Sequence, residues 1–276
     1  MKSFSLLLML LAQTVFSQDI KVMSYNIRLD IQSDGENQWS KRKEFLTDQV
    51  KFYNPDFMGI QEALPQQMVY MDSTLTAYSF IGKGRDDGQS KGEHSAIFYN
   101  SEKFKLLEEN TFWLSETPEK PSKGWDAAYN RVCTYGLFQD KKTKKKIWVF
   151  NTHFDHVGNT ARAESSKLIL ERIQKANKDN LPVILTGDFN LEPETTPIKL
   201  IREKLDDAKR VCTGIVFGPE GTFNAFEFNK PVTTWIDYIF INKKGMEVTK
   251  FAVLSDSKNC RYPSDHLPVY AEIKLK

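Results

Sequence analysis

The sequence predicts an α/β protein of stacked sheets with outer helices. Three observations carry that expectation. Strand-like and helix-like segments alternate over the first part of the chain. Strand-like runs dominate the remainder. No linker-like stretch divides the 276 residues, so 18–276 is expected to form a single domain. Hydrophobic residues at 40% and charged residues at 27% fit an ordinary globular core rather than a disordered or fibrous chain.

Residues 1–17 are set apart. Lys2 supplies a positive start, Phe4 to Ala12 is almost wholly apolar, and the segment ends in the small residue Ser17. This pattern is expected of a secretory signal peptide, with a mature chain starting near Gln18 and a secreted or periplasmic destination. The apolar run is too short to span a bilayer comfortably, and no later segment is long and apolar enough to do so. Removing Lys2 leaves the 38 Lys and Arg one short, against 36 Asp and Glu. A near-neutral chain lacks the broad basic field of a protein that lives on nonspecific nucleic-acid binding. Nucleic acid therefore stays open as a partner without being favoured, and the protein is expected to be a monomer.

Taken in order, Ile20 to Tyr25 is β-prone and ends at Asn26. Trp39 to Tyr53 carries Trp39, Phe45, Leu46, Val50 and Tyr53 at helical spacing, and Asn54-Pro55 stops it. Phe57 to Ile60 is a short apolar run leading to Gln61-Glu62, and Pro65 opens a second helix. His94 to Tyr99 and Phe104 to Trp113 follow as strands. Leu114 to Asn130 is a long polar loop, of a length often functional in compact domains. Arg131 to Phe138 and Ile147 to Thr152 make a hairpin around the lysine-rich run 141–146. That run is expected to be a solvated turn guarding a sheet edge rather than a nucleic-acid contact. Thr160 to Ala176 is amphipathic, with Ala161, Leu168, Ile169 and Ile173 on one side. Val183 to Thr186, Trp235 to Ile241, Val248 to Leu254 and Leu267 to Leu275 complete the strands. Of Cys133, Cys212 and Cys260, the pair expected to bridge in an exported chain is Cys212 with Cys260.

Polar residues fall where these runs end. Asn26, Glu62, Asn151-Thr152-His153, Asp188-Phe189-Asn190 and Ser264-Asp265-His266 each abut an apolar run. In α/β sheets, strand ends at one edge line the ligand crevice, so five such ends can meet in one pocket. Carboxylates with asparagine amides are hard oxygen donors suited to Mg2+ or Mn2+. Histidines beside them offer general acid and base groups.

These segments carry a family resemblance. Ser24-Tyr25-Asn26-Ile27-Arg28, Gln61-Glu62, Asn151-Thr152-His153, Thr186-Gly187-Asp188-Phe189-Asn190, Ile236-Asp237-Tyr238 and Ser264-Asp265-His266-Leu267-Pro268 occur in the order found in the endonuclease/exonuclease/phosphatase superfamily. The chain looks closest to its secreted bacterial branch. The resemblance implies a deoxyribonuclease I-like, four-layer α-β-β-α sandwich of two mainly antiparallel sheets, and hydrolysis of phosphate esters with Mg2+ or Mn2+. It also implies roles. Glu62 would be the main metal ligand, helped by Asn26 and Asp265. Asp188 and Asn190 would position the attacking water or hold a second divalent ion. His266, oriented by Asp237, would be a base or a phosphate contact. His153, paired with Glu93, would contact phosphate or act as an acid, and Arg131 would face the phosphate. Trp235 stands where many relatives carry arginine, which puts a phosphate contact from that position in doubt.

Substrate choice falls to the loops, where Arg85 is a candidate anion contact and Trp125 a candidate stacking wall. Trp113 is a second candidate for that wall, with packing beneath a loop as its alternative, and Gly221-Thr222-Phe223-Asn224 could form a rim. The resulting expectation is a phosphodiesterase for a small-molecule or headgroup substrate. A secreted nuclease and a catalytically idle binding protein are the alternatives.

Overall fold

The computed structural model describes residues 19–243 and 245–275. The expected signal peptide lies outside the described residues. In chain order the elements are β1 (Asp19–Asn26), α1 (Trp39–Tyr53), β2 (Phe57–Gln61), α2 (Pro65–Thr74), β3 (Tyr78–Ile81), β4 (Ile97–Asn100), β5 (Phe104–Trp113), β6 (Val132–Asp140), β7 (Lys146–His153), α3 (Asn159–Ala176), β8 (Val183–Asp188), α4 (Thr196–Lys204), β9 (Leu205–Asp207), α5 (Ala208–Val211), β10 (Ile215–Phe217), β11 (Asp237–Asn242), β12 (Met246–Val253) and β13 (Val269–Leu275). One sheet runs β10-β12-β13-β1-β2-β4-β3 and the other β5-β6-β7-β8-β11-β9. Most neighbours are antiparallel. The exceptions are β1 with β2, β10 with β12 and β7 with β8.

Alternation along the strands builds the layers. On β1, Ile20 and Val22 enter the core between the sheets, while Met23 and Tyr25 face the opposite way. That opposite face meets Trp39, Leu46 and Val50 of α1 and Met68 and Met71 of α2. The second sheet is covered by Ile169 and Ile173 of α3 and Ile198 and Ile201 of α4. Two sheets between two helical layers are the expected sandwich. The elements β3, α5, β9 and β10 are too short to show a period in the sequence, while α4, with Ile198 and Ile201 buried on one side, carries a helical period missed in the sequence. The strand expected from His94 starts at Ile97, because His94 makes only isolated bridges to Ala63 and Gly84.

The inter-sheet core turns polar at one edge. Gln61 donates to Ser24 Oγ (3.3 Å) and Asn151 Oδ1 (2.7 Å), and Thr186 Oγ1 donates to the same Asn151 oxygen (3.0 Å). Gly59 lies between them. A Cβ there would collide with Thr186 Oγ1 and Asn151 Oδ1, so only glycine lets the sheets approach. Among the described residues no disulfide forms. Cys133 is buried, Cys212 half-buried and Cys260 exposed, all as free thiols, which corrects the expected Cys212–Cys260 bridge. No helix among the described residues is long and apolar enough to cross a membrane.

Candidate active site

Strand pairing brings the motif residues into one row. His153 of β7 is level with Asp188 of β8, and Asp188 is level with Asp237 of β11. On the facing sheet Asn26 is level with Gln61, directly before Glu62. Ser264-Asp265-His266 lead into β13, the other neighbour of β1. The expected convergence therefore holds. Glu62, Asp188, Asp265, His153 and His266 line one cleft of about 780 Å³.

His266 donates from Nδ1 to Asp237 Oδ2 (2.9 Å), and its Nε2 lies 3.8 Å from Asp188 Oδ2. Burial disfavours its charge, but Asp237 and then Asp188 outweigh that and hold its pKa well above the usual histidine value. Asp237 is itself fixed by Thr222, whose Oγ1 donates to Oδ2 (2.6 Å) while accepting from the Ile236 and Asp237 N–H groups. The rim element around Thr222 thus orients the dyad. The sequence flagged that element without giving Thr222 a role. Phe223 sets its ring edge-on to His266, with centroids 5.0 Å apart.

His153 behaves differently. Burial, then the charges of Arg131 and Arg85, hold its pKa well below the ordinary value, so it is neutral. Arg131 NH1 lies 2.9 Å from Nδ1 and Asn190 Nδ2 lies 3.1 Å from Nε2. A neutral imidazole accepts at one nitrogen only. The guanidinium is the stronger donor, which places the proton on Nε2, facing Asp188 Oδ2 at 3.5 Å. Glu93 does not pair directly with His153 as expected. Its Oε2 is 4.0 Å from Nδ1 and 2.6 Å from Arg85 NH1, because Arg131 has taken the ring nitrogen.

Asn26 is also reassigned. Its Oδ1 accepts the Arg28 N–H (3.0 Å), so its Nδ2 faces Glu62 Oε1 (3.0 Å) and Asp188 Oδ2 (2.9 Å). It holds two carboxylates in place instead of offering an oxygen ligand. Glu62 takes a further bond from Leu29 N (3.0 Å). Arg28 and Glu62 adopt left-handed backbone angles, φ 55° and 65°. Non-glycine residues hold such angles only where their surroundings fix them.

The acidic floor fits a divalent cation. Burial and then Asp237 raise the Asp188 carboxyl pKa. Burial raises that of Asp265 as well, with Glu62 adding to it and His266 opposing it. Crowded buried carboxylates of this kind are relieved by a cation between them. Asp188, Asp237 and His266 bring ligand atoms within 4.8 Å of one another. Asp237 Oδ2 and His266 Nδ1 are already spent on each other. The hard oxygens of Glu62 and Asp265 are therefore the better donors.

One wall of the cleft is cationic and aromatic. Arg131 is buried and shared among His153 Nδ1, His156 Nδ1 (3.2 Å) and the carboxylates of Glu93 and Asp155 (both 3.7 Å). It braces the wall more than it reaches for phosphate. Arg85 lies over the Tyr129 ring at 5.1 Å, and Tyr129 stacks on His156 with centroids 6.0 Å apart. Trp113 Nε1 donates to the Arg85 carbonyl (2.7 Å), so of its two expected roles it takes packing beneath the loop and not the wall. Trp125 is not among the lining residues. Its N–H is drawn to the Glu116 carboxylate (3.1 Å), and Tyr129, 53% exposed, takes the aromatic position expected of Trp125. Trp235 is buried under Lys209, 3.5 Å from its ring, and makes no wall of the cleft.

A model described as the Endonuclease/Exonuclease/phosphatase family matches residues 23–266. The chain belongs to this family. Two solved structures from Bacteroides thetaiotaomicron are similar along nearly their whole length. One is an endonuclease/exonuclease/phosphatase family protein, 38% identical with a TM-score of 0.90, covering 94% of this chain and 99% of that one. The other is a mannosyl-6-phosphatase, 39% identical with a TM-score of 0.88, covering 92% and 99%. Among curated relatives, the 3'-5'-exoribonuclease subunit of the CCR4-Not complex of Mycosarcoma maydis is 24% identical over 96% of this chain. The match takes in 52% of that protein, so the chain spans about half its length. Membership of the endonuclease/exonuclease/phosphatase family places this chain among phosphate-ester hydrolases.

Proposed function

We propose that the chain is an exported, Mg2+- or Mn2+-dependent hydrolase of a small phosphate ester, with a phosphorylated sugar as the substrate class to test first. The observation that carries the reading is the convergence of Glu62, Asp188, Asp265, His153 and His266 on the floor of a bounded cleft. Its volume of about 780 Å³ suits a small molecule. The basic run 141–146 lies at the opposite end of β6 and β7, roughly 23 Å from His153 at the usual strand rise. The run therefore does not line the cleft. The mannosyl-6-phosphatase relative supports a sugar monoester in place of the phosphodiester expected from the sequence.

Glu62 and Asp265 would hold the cation, which when bound would supply positive charge against the phosphate ester. Asp188 Oδ2 and His266 Nε2, 3.8 Å apart, flank the place of the attacking water; Asp188 takes its proton, while His266, charged beside Asp237, donates from Nε2 to a phosphoryl oxygen. Asp237, set by Thr222, accepts the His266 Nδ1 hydrogen and fixes the ring that faces the substrate. His153 presents its Nε2 hydrogen to the phosphoryl group, with Asn190 beside it. The complete set disfavours an idle binding protein.

The test is a substrate panel on protein beginning near Gln18 with Mn2+ or Mg2+. It includes mannose 6-phosphate, nitrophenyl phosphate, bis-nitrophenyl phosphate, RNA and DNA. Monoester turnover that EDTA abolishes is expected, with Glu62→Ala and His266→Ala slower by about 1000-fold or more. Turnover of RNA or DNA alone would replace this reading with the nuclease one. Full activity in both variants would remove the assigned site.

A further inference from the structure

The acidic floor hangs on a buried cation outside it. Arg42 lies on α1 and is 5% exposed. Its guanidinium donates to four main-chain carbonyls: Asn37 (2.8 Å), Ile27 (2.5 Å), Pro263 (3.1 Å) and Arg28 (2.7 Å). Its Cζ lies 5.1 Å from the Trp39 ring centroid and 5.8 Å from that of Phe226. Such a planar five-donor group has no equivalent among the other side chains, and it is costly to bury unless its donors are used.

The carbonyls it selects are informative. Ile27 and Arg28 follow Asn26 directly, and the next residue, Leu29, gives its N–H to Glu62. Pro263 precedes Ser264-Asp265-His266. Ser264 Oγ donates to Asn26 O (2.7 Å), a second strap between the same two segments. Gln67 Nε2 also donates to Arg28 O (2.9 Å), which holds the left-handed Arg28 from the other side. One guanidinium thus ties the loop that aims Glu62 to the loop that carries Asp265.

We propose that Arg42 is a positioning residue for the divalent-cation site and sets the spacing between Glu62 and Asp265. The proposal rests on the metal-dependent reading above. Ile27 and Pro263 share one guanidinium nitrogen, but lysine's single ammonium cannot also keep the Nε bond to Asn37 and the second nitrogen's bond to Arg28, and it lacks the plane that fixes all four. Cation binding should therefore suffer beyond any loss of stability.

The experiment is a calorimetric Mn2+ titration of the wild type, Arg42→Lys, Phe226→Ala and the control Arg202→Lys, with circular dichroism and thermal midpoints taken without metal. Arg202 is a similarly sheltered arginine, bound to Asp207 (2.8 Å). Arg42→Lys should weaken Mn2+ binding about tenfold or more, and Phe226→Ala about threefold. Arg202→Lys should lower the midpoint and leave Mn2+ affinity within twofold. A folded Arg42→Lys that binds Mn2+ within twofold of wild type overturns the proposal. If Arg42→Lys does not fold, unchanged affinity in Phe226→Ala overturns it. A wild type that binds no Mn2+ removes the metal reading itself, and the proposal with it.

Discussion

Asp155 organises the cationic wall without belonging to the floor, and its removal has a calculable effect. The residue is 2% exposed. Its Oδ1 accepts from Val157 N (2.9 Å) and Gly158 N (2.7 Å), and its Oδ2 from Ala128 N (2.9 Å) and Tyr129 N (3.4 Å). It also faces Arg131 Nε at 3.7 Å. One carboxylate therefore clamps the Tyr129 loop to the start of α3. Asp155→Ala strands these N–H groups. Bonds to a charged acceptor contribute about 1.5–3 kcal/mol each. Ala128 and Val157 are exposed enough to rehydrate, so a net loss of about 3 kcal/mol is expected, or a midpoint lower by roughly 6–12 °C. The sign with pH follows from the carboxyl. Burial alone would raise it, but the N–H groups of Gly158, Val157 and Ala128, then Arg131, hold it below the usual value. A depressed carboxyl contributes stability above its unfolded pKa of about 3.9, and that contribution fades as pH falls through the folded value. Urea titrations of wild type and Asp155→Ala should differ fully at about pH 7 and approach each other below about pH 4. With the wall loosened, KM should rise more than kcat falls. A loss under about 1 kcal/mol at neutral pH, or a gap that persists unchanged into acid, would refute the clamp.

Three further outcomes follow from the geometry. Arg131→Gln removes a positive charge beside His153, so the imidazole pKa should rise toward its ordinary value; a histidine NMR titration showing no rise would contradict the contact. Thr222→Val deletes the hydroxyl that orients Asp237, and kcat should drop about tenfold with KM little changed, because only the dyad is disturbed. Burial holds the Cys133 thiol far above the usual range, so iodoacetamide should label Cys260 quickly and spare Cys133 until the chain unfolds; equal labelling rates in the native protein would be the contrary result.

Much of the fold was legible because its signals are local. The α1 stripe through Trp39, Leu46 and Val50 is a helical period, and the runs that became β5, β7 and β8 are short, apolar and bounded. The short elements β3, β9 and β10 escaped because three or four residues carry no period. Arg42 escaped for another reason. It sits on the same buried stripe as Trp39 and Leu46, where a charge reads as surface until its four carbonyl partners are seen.

For the site, residue order along the chain determined which groups meet, because polar residues at strand ends share one sheet edge. Orientation was decided only in three dimensions. Whether Asn26 offers oxygen or nitrogen depends on the Arg28 N–H, and whether His153 meets Glu93 or Arg131 depends on which reaches Nδ1 first. Tyr129 rather than Trp125 lines the cleft because Asp155 pulls one loop inward while Glu116 holds the other residue aside. Hydrogen bonds between segments far apart in the chain set these choices, and spacing within a segment carries no record of them.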